Sequence, residues 1–244
     1  MPCRRQRFNA GRSKLWHRNA GDGGDRGQFD SAREPVHPEV HRSRTAPQQG
    51  GPHAHSSIFV DDSTLLALDL GADRIRTFQI GPSSLCPIGE VVLPAGFGPR
   101  DILARPSNLF YVLGEFGCGI IVFEWTNGEL QQLCSIPLPG ATEGDQASAI
   151  AVSDDGRHAY VGVRRSNLIA VLTISDDGRS VAPLTAVPCE GDWPRHMVFH
   201  NDVLHVCNQY SGDVASFAID INGIPKLLAP PTPVGSPTYL ARIA

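Results

Sequence analysis

Eight side chains in this sequence have the types and spacing to share one piece of chemistry. His53, Arg100 and Arg195 are separated by 47 and 95 residues, and Glu115, Arg164 and Gln209 by 49 and 45. His55 and His196 flank the first set. Guanidinium groups grip phosphates and carboxylates through paired N–H donors, and imidazoles exchange protons near neutral pH. If residues about 47 apart fall on one ring, two arginines and a histidine make a positive funnel for an anion. Glu115 sits in Leu113-Gly114-Glu115-Phe116-Gly117, between glycines and apolar neighbours. That setting either raises its pKa for general acid or base duty or marks a carboxylate paired with an arginine. His53-Ala54-His55 puts two imidazoles on one side of an extended chain, as a metal pair or as hydrogen-bonded structural histidines. No third ligand stands at a suitable spacing, so neither a metal nor a cofactor is expected.

Such rings need a repeating unit to position them. Pro52, Pro99, Ala147, Pro194 and Pro237 are spaced by 47, 48, 47 and 43 residues. Each unit opens with a short apolar run: Ser57–Val60, Ile102–Ala104, Ala149–Val152, Met197–Phe199. A second follows as Leu65–Leu68, Leu109–Leu113, Ala159–Val161 and Val203–Val206. A third comes as Ile75–Ile80, Ile120–Trp125, Leu168–Ile174 and Val214–Ile219, and a weaker fourth precedes the next unit, as in Leu130–Ile136 after Asn127-Gly128. Four strands per unit joined by hairpin turns predict the blades of an all-β propeller, since stacked blades bury faces that a lone blade leaves wet. Residues 50–244 hold about four recognisable four-stranded blades plus a partial one that begins at Pro237–Ile243.

Residues 1–47 follow another grammar. Nine arginines are scattered among isolated apolar residues with no period of 2 or 3.6, so there is no face to bury. The expectation is a disordered or aberrant basic N-terminal segment. Residues 1–50 carry a net charge of +5 and residues 51–244 carry −9. An acidic body is a poor partner for nucleic acid, and no apolar run reaches the roughly 18 residues of a membrane span. Six separated cysteines without a C-x-x-C pair, and no apolar leader, point to reduced thiols in the cytoplasm. Cys118 and Cys207 have no basic neighbour in sequence and read as structural. Asp69 and Asp73, in Asp69-Leu70-Gly71-Ala72-Asp73-Arg74, are suited to capping backbone amides in a turn.

In order along the chain stand Pro52-His53-Ala54-His55-Ser56, Asp69–Arg74, Gly98-Pro99-Arg100, Pro194-Arg195-His196 and Asn208-Gln209-Tyr210-Ser211-Gly212. The ordered set resembles the seven-bladed propeller lactonases, the bacterial 6-phosphogluconolactonases of this fold and the related fungal carboxy-cis,cis-muconate cyclase. The resemblance covers about residues 50–244. It implies hydrolysis of a sugar lactone, 6-phosphogluconolactone foremost, by water, without a metal. His53 or His55, Arg100, Glu115 and Arg164 are the catalytic groups that it implies; Arg195 and Gln209, from the repeat rings, and the adjacent His196 are expected to bind the substrate. The implied partner is a small anionic lactone, with no nucleic acid or membrane, and the sequence leaves the oligomeric state open. A muconate-type cycloisomerase, a divalent-metal lactonase and a non-catalytic propeller fragment are the competing readings.

Two motifs depart from the family pattern. Its G-P-R-H reads Gly98-Pro99-Arg100-Asp101, where Asp101 is placed to pair with Arg100, and its S-N-R-G reads Gly162-Val163-Arg164-Arg165. Seven blades need roughly 330 residues by extension of the repeat, whereas 194 follow residue 50. The expectation is an N-terminally truncated propeller whose residues 1–47 are a native tail or a misread reading frame.

Overall fold

Hairpin chemistry shapes each blade of the computed structural model, which describes residues 49–241. Asn127-Gly128 takes left-handed backbone angles (φ 53° and 83°) and turns β7 into β8, the two-residue loop that suits a twisted antiparallel pair. Blade 1 comprises β1 (Ala54–Asp61), β2 (Thr64–Asp69), β3 (Arg74–Ile80) and β4 (Leu85–Val92). Blade 2 comprises β5 (Pro99–Arg105), β6 (Leu109–Gly114), β7 (Gly119–Thr126) and β8 (Glu129–Pro137). Blade 3 comprises β9 (Gln146–Val152), β10 (His158–Arg164), β11 (Leu168–Ile174) and β12 (Val181–Pro188). Blade 4 holds β13 (Pro194–His200), β14 (Val203–Asn208), β15 (Asp213–Ile219) and the short β16 (Pro225–Leu227), with β17 (Thr232–Pro233) also on β15. Each sheet is an antiparallel meander, and β1 lies beside β5, β5 beside β9, and β9 beside β13. The all-β propeller reading and its four blades hold.

Three apolar seams join the blades. Leu66, Leu68 and Ile75 meet Phe110, Val112 and Phe123 between blades 1 and 2. Leu113, Ile120 and Val122 meet Val161, Val163 and Leu172 between blades 2 and 3, and Tyr160, Ile169 and Val171 meet Phe199, Leu204 and Phe217 between blades 3 and 4. Two fully buried tyrosines fix the stagger of neighbours. Tyr111 donates to the Gly178 carbonyl of blade 3 at 2.7 Å, and Tyr160 to the Gly223 carbonyl of blade 4 at 3.0 Å. Both are four residues before the Glu115–Arg164 ring.

The strand expected at the start of a fifth unit is not formed over residues 237–241. A first strand pairs with the second strand of its own blade, and no such partner follows among the described residues. The tail of residues 1–47, Cys3, and Ile243 at the end of that expected strand lie outside them. Among the described residues, no helix is long and apolar enough to cross a membrane.

Candidate active site

Glu115 occupies the turn between β6 and β7, and glycines let that turn sit tight. A Cβ at Gly114 would stand 2.5 Å from the Phe97 ring, and one at Gly117 2.8 Å from it. The Glu115 N–H donates to the Gly98 carbonyl at 2.8 Å, and its carbonyl accepts from the Ala147 N–H at 2.8 Å. The backbone is thus pinned between blades 2 and 3, and the carboxylate points into a buried pair of arginines. Arg100 Nη1 lies 2.7 Å from Glu115 Oε2, and Arg164 Nη2 lies 2.8 Å from Oε1. The arginines are anchored in turn. Arg100 Nε donates to the Ser148 carbonyl at 2.6 Å, and Arg164 donates to the Gln146 and Ala147 carbonyls at 3.3 and 2.9 Å. All three side chains are buried.

Of the two sequence readings of Glu115, the arginine-paired one holds and the raised pKa does not. Burial pushes the pKa up, but the charges of Arg164 and Arg100 and their hydrogen bonds outweigh it, so the group ionises below its ordinary range. The triad carries a net charge of +1. Asp101 does not pair with Arg100 as its position suggested. Its carboxylate crosses to β9 and accepts the Ile150 N–H at 3.1 Å, with the Ile102 N–H at 3.0 Å. Burial there raises its pKa.

The remaining predicted residues gather around the triad unevenly. His55 is exposed to solvent on β1, yet its imidazole is desolvated and close to Arg100. These two effects, in that order, push its pKa down to about 4, so it is neutral at pH 7. His53 instead works through its backbone, its N–H on Asp69 at 2.8 Å and its carbonyl on the Leu70 N–H at 2.9 Å. Arg195 donates to Gln209 at 3.3 Å, its charge acting on Arg164. His196 is close enough to Arg100 that burial and then that charge lower its pKa. Its Nδ1 accepts the Leu240 N–H at 3.2 Å, and the Tyr239 ring lies 4.1 Å away. Asp69 and Asp73 cap amides as expected: Asp69 accepts from His53 and Ala72, Asp73 from Gly96 and Gly98. Burial pushes the Cys118 and Cys207 thiols up to about 11. Among the described residues, no cluster of three or more His, Cys, Asp or Glu is placed to hold a metal.

Sequence reasoning missed two parts of the site. The Gln146, Ala147 and Ser148 carbonyls that seat the arginines carry no side-chain signal. Trp193, whose ring centre lies 5.4 Å from the Arg164 guanidinium carbon, did carry one. It stands where the repeat has Gly98 in blade 2.

The family model described as "Lactonase, 7-bladed beta-propeller" matches residues 24–241, beginning inside the stretch expected to be a tail. A 6-phosphogluconolactonase of Bacillus subtilis is 31% identical over 84% of this chain and 62% of its own length. A periplasmic gluconolactonase of Pseudomonas aeruginosa superposes with a TM-score of 0.77 at 29% identity, over 84% of this chain and 61% of that one. A protein from Lactobacillus plantarum superposes with a TM-score of 0.73 at 27% identity, over 79% and 59%. The chain thus spans about three fifths of the length of these relatives. By the match of more than half its residues, this chain belongs to the seven-bladed β-propeller lactonase family.

Proposed function

We propose that this chain hydrolyses a sugar lactone, with 6-phosphogluconolactone as the substrate that best fits its charge. The observation that carries the reading is the buried Arg100–Glu115–Arg164 triad, whose net +1 charge opens beside Arg195 and a neutral His55. Family membership and the Bacillus subtilis relative support the same class of substrate. Arg195 takes the substrate's phosphate, helped by Gln209 and His196, while Arg100 and Arg164 face the oxyanion that develops when water adds to the lactone carbonyl. Guanidinium charge does here what a Lewis acid does elsewhere, so the route needs no metal.

Glu115 is anionic, and each of its oxygens keeps a lone pair beyond its arginine bond, so it accepts a proton from the attacking water. Its low pKa makes it a modest base until an arginine shifts its charge to the substrate, which strengthens Glu115 as attack proceeds. His55, with a pKa of about 4, gives up a proton readily once it has received one. It relays the water's proton from Glu115 to the ring oxygen as the acyl C–O bond breaks, leaving a hydroxyl and a carboxylic acid that loses its own proton to solvent.

The five cysteines of the described residues are free thiols, which supports the cytoplasm as compartment. The test is the rate of 6-phosphogluconolactone hydrolysis above the spontaneous background, beside Glu115→Gln. An excess rate that vanishes in the variant supports the reading. A folded chain with no excess rate sinks it, and an active Glu115→Gln variant removes Glu115 from its role.

A further inference from the structure

The repeat exposes an anomaly in blade 4. Gly98 precedes the first strand of blade 2 in a left-handed conformation (φ 61°), and its bare α-carbon lies against Phe116, 2.5 Å from where a Cβ would stand. The equivalent position before β13 keeps the left-handed backbone (φ 64°) but carries Trp193. Tyr210 stands where Phe116 stands, two residues past the second strand of its blade. The two rings stack, with centroids 4.8 Å apart and planes 22° from parallel. A bulky residue at positive φ is strained and persists only where its surroundings hold it.

Those surroundings are explicit. The Trp193 N–H donates to Asn167 Oδ1 at 2.8 Å, and the Trp193 carbonyl accepts the Gln209 N–H at 3.1 Å. The Tyr210 N–H donates to the Asp192 carbonyl at 3.1 Å, and Asn167 Nδ2 donates to the Asp192 carboxylate at 2.9 Å. Neither ring belongs to an apolar seam. Tyr210 is 61% exposed, so core packing does not account for the pair. It lies beside Gln209, with Arg164 against the tryptophan ring.

We propose that Tyr210, held rigid by the Trp193 ring stacked behind it, forms a stacking platform for the C–H-rich face of a sugar ring, and so selects polyhydroxylated cyclic lactones over simple ones. Aromatic faces carry negative charge density and attract the polarised C–H bonds of a sugar. The guanidinium of Arg164 links the platform to the triad, so a seated ring is also oriented toward the oxyanion donors. The proposal rests on the lactonase reading for its substrate, and its test separates the two.

Hydrolysis of glucono-δ-lactone and of δ-valerolactone, whose ring has no hydroxyls, is compared for the full chain, Trp193→Gly, Tyr210→Ala and Trp193→Phe. Trp193→Gly installs the residue that the backbone favours, so it folds. The expected result is a fall of about tenfold or more in the ratio of kcat/KM for the two lactones in the glycine and alanine variants. The loss arises mainly from KM for gluconolactone, and Trp193→Phe restores part of it. In parallel, glucono-δ-lactam, which is not hydrolysed, is titrated against tryptophan fluorescence. Saturable quenching that Trp193→Gly abolishes supports the platform even if no lactone is turned over, an outcome that sinks only the lactonase reading. Turnover with an unchanged ratio overturns the platform and leaves the lactonase reading standing. Absence of both turnover and quenching overturns both.

Discussion

The seam between blades 2 and 3 and the outer face of blade 1 use the same chemical unit, a glutamate between two arginines. At the seam, Glu115 lies between Arg100 and Arg164, and its side chain is 6% exposed. On blade 1, Glu90 meets Arg74 and Arg76, with Arg76 also 3.0 Å from Asp69, and the Glu90 side chain is 41% exposed. Around the first unit, the Gln146, Ala147 and Ser148 carbonyls accept further guanidinium N–H groups. Around the second lies open sheet, with Val92, two residues on along β4 and paired with Arg74, 66% exposed. Water screens and solvates the exposed pair, so its charges are nearly independent. At the seam the charges are desolvated, and removing one leaves the others uncompensated. Residue type alone does not make a site; the same three groups become one when a neighbouring blade covers them.

The largest test of this contrast is Glu115→Ala. It leaves two buried guanidinium groups without a carboxylate and is expected to cost about 3–5 kcal/mol in urea denaturation. A cost under about 1 kcal/mol would mean that the seam is as wet as the outer face. The inter-blade tyrosine comes next. Tyr160→Phe deletes the bond to the Gly223 carbonyl and is expected to cost about 1–2 kcal/mol, with no matching bond at Leu66, its counterpart in blade 1.

A third test uses pH. His55 has a folded pKa of about 4 against an ordinary 6.5, so the unfolded chain binds the proton first as pH falls. Its contribution to stability is present above pH about 6.5 and is lost progressively down to about 4. His55→Gln should flatten the stability curve in that window. The change falls short of the full shift because the ring reaches solvent, and an unaltered curve would show that His55 is not held neutral. The smallest effect belongs to Glu90→Gln, expected to stay within about 0.5 kcal/mol and to shrink further in high salt.

What the sequence determined by itself is whatever depends on neighbours a few residues away. Alternating apolar runs and Asn-Gly or Asp-Gly turns specify strands and hairpins, and the near-constant spacing of Pro52, Pro99, Ala147 and Pro194 specifies blades. From that repeat, Arg100, Glu115 and Arg164 could be placed on facing rings, because stacked copies of one unit put equivalent positions side by side. Asp69 and Asp73 were legible as amide caps for the same local reason. The tertiary structure alone decided the charge state of Glu115, since desolvation and two guanidinium charges compete there, and Arg164 arrives from 49 residues away. It also sent the Asp101 carboxylate to the Ile150 amide rather than to Arg100, and it put the imidazole of His55 under the Arg100 charge. The same holds for Trp193. Its type was visible in the chain, but its stack with Tyr210 exists only once β13 pairs with β14, and its place against Arg164 only once blades 3 and 4 are packed together, because burial and electrostatic coupling depend on distance in space and not along the chain.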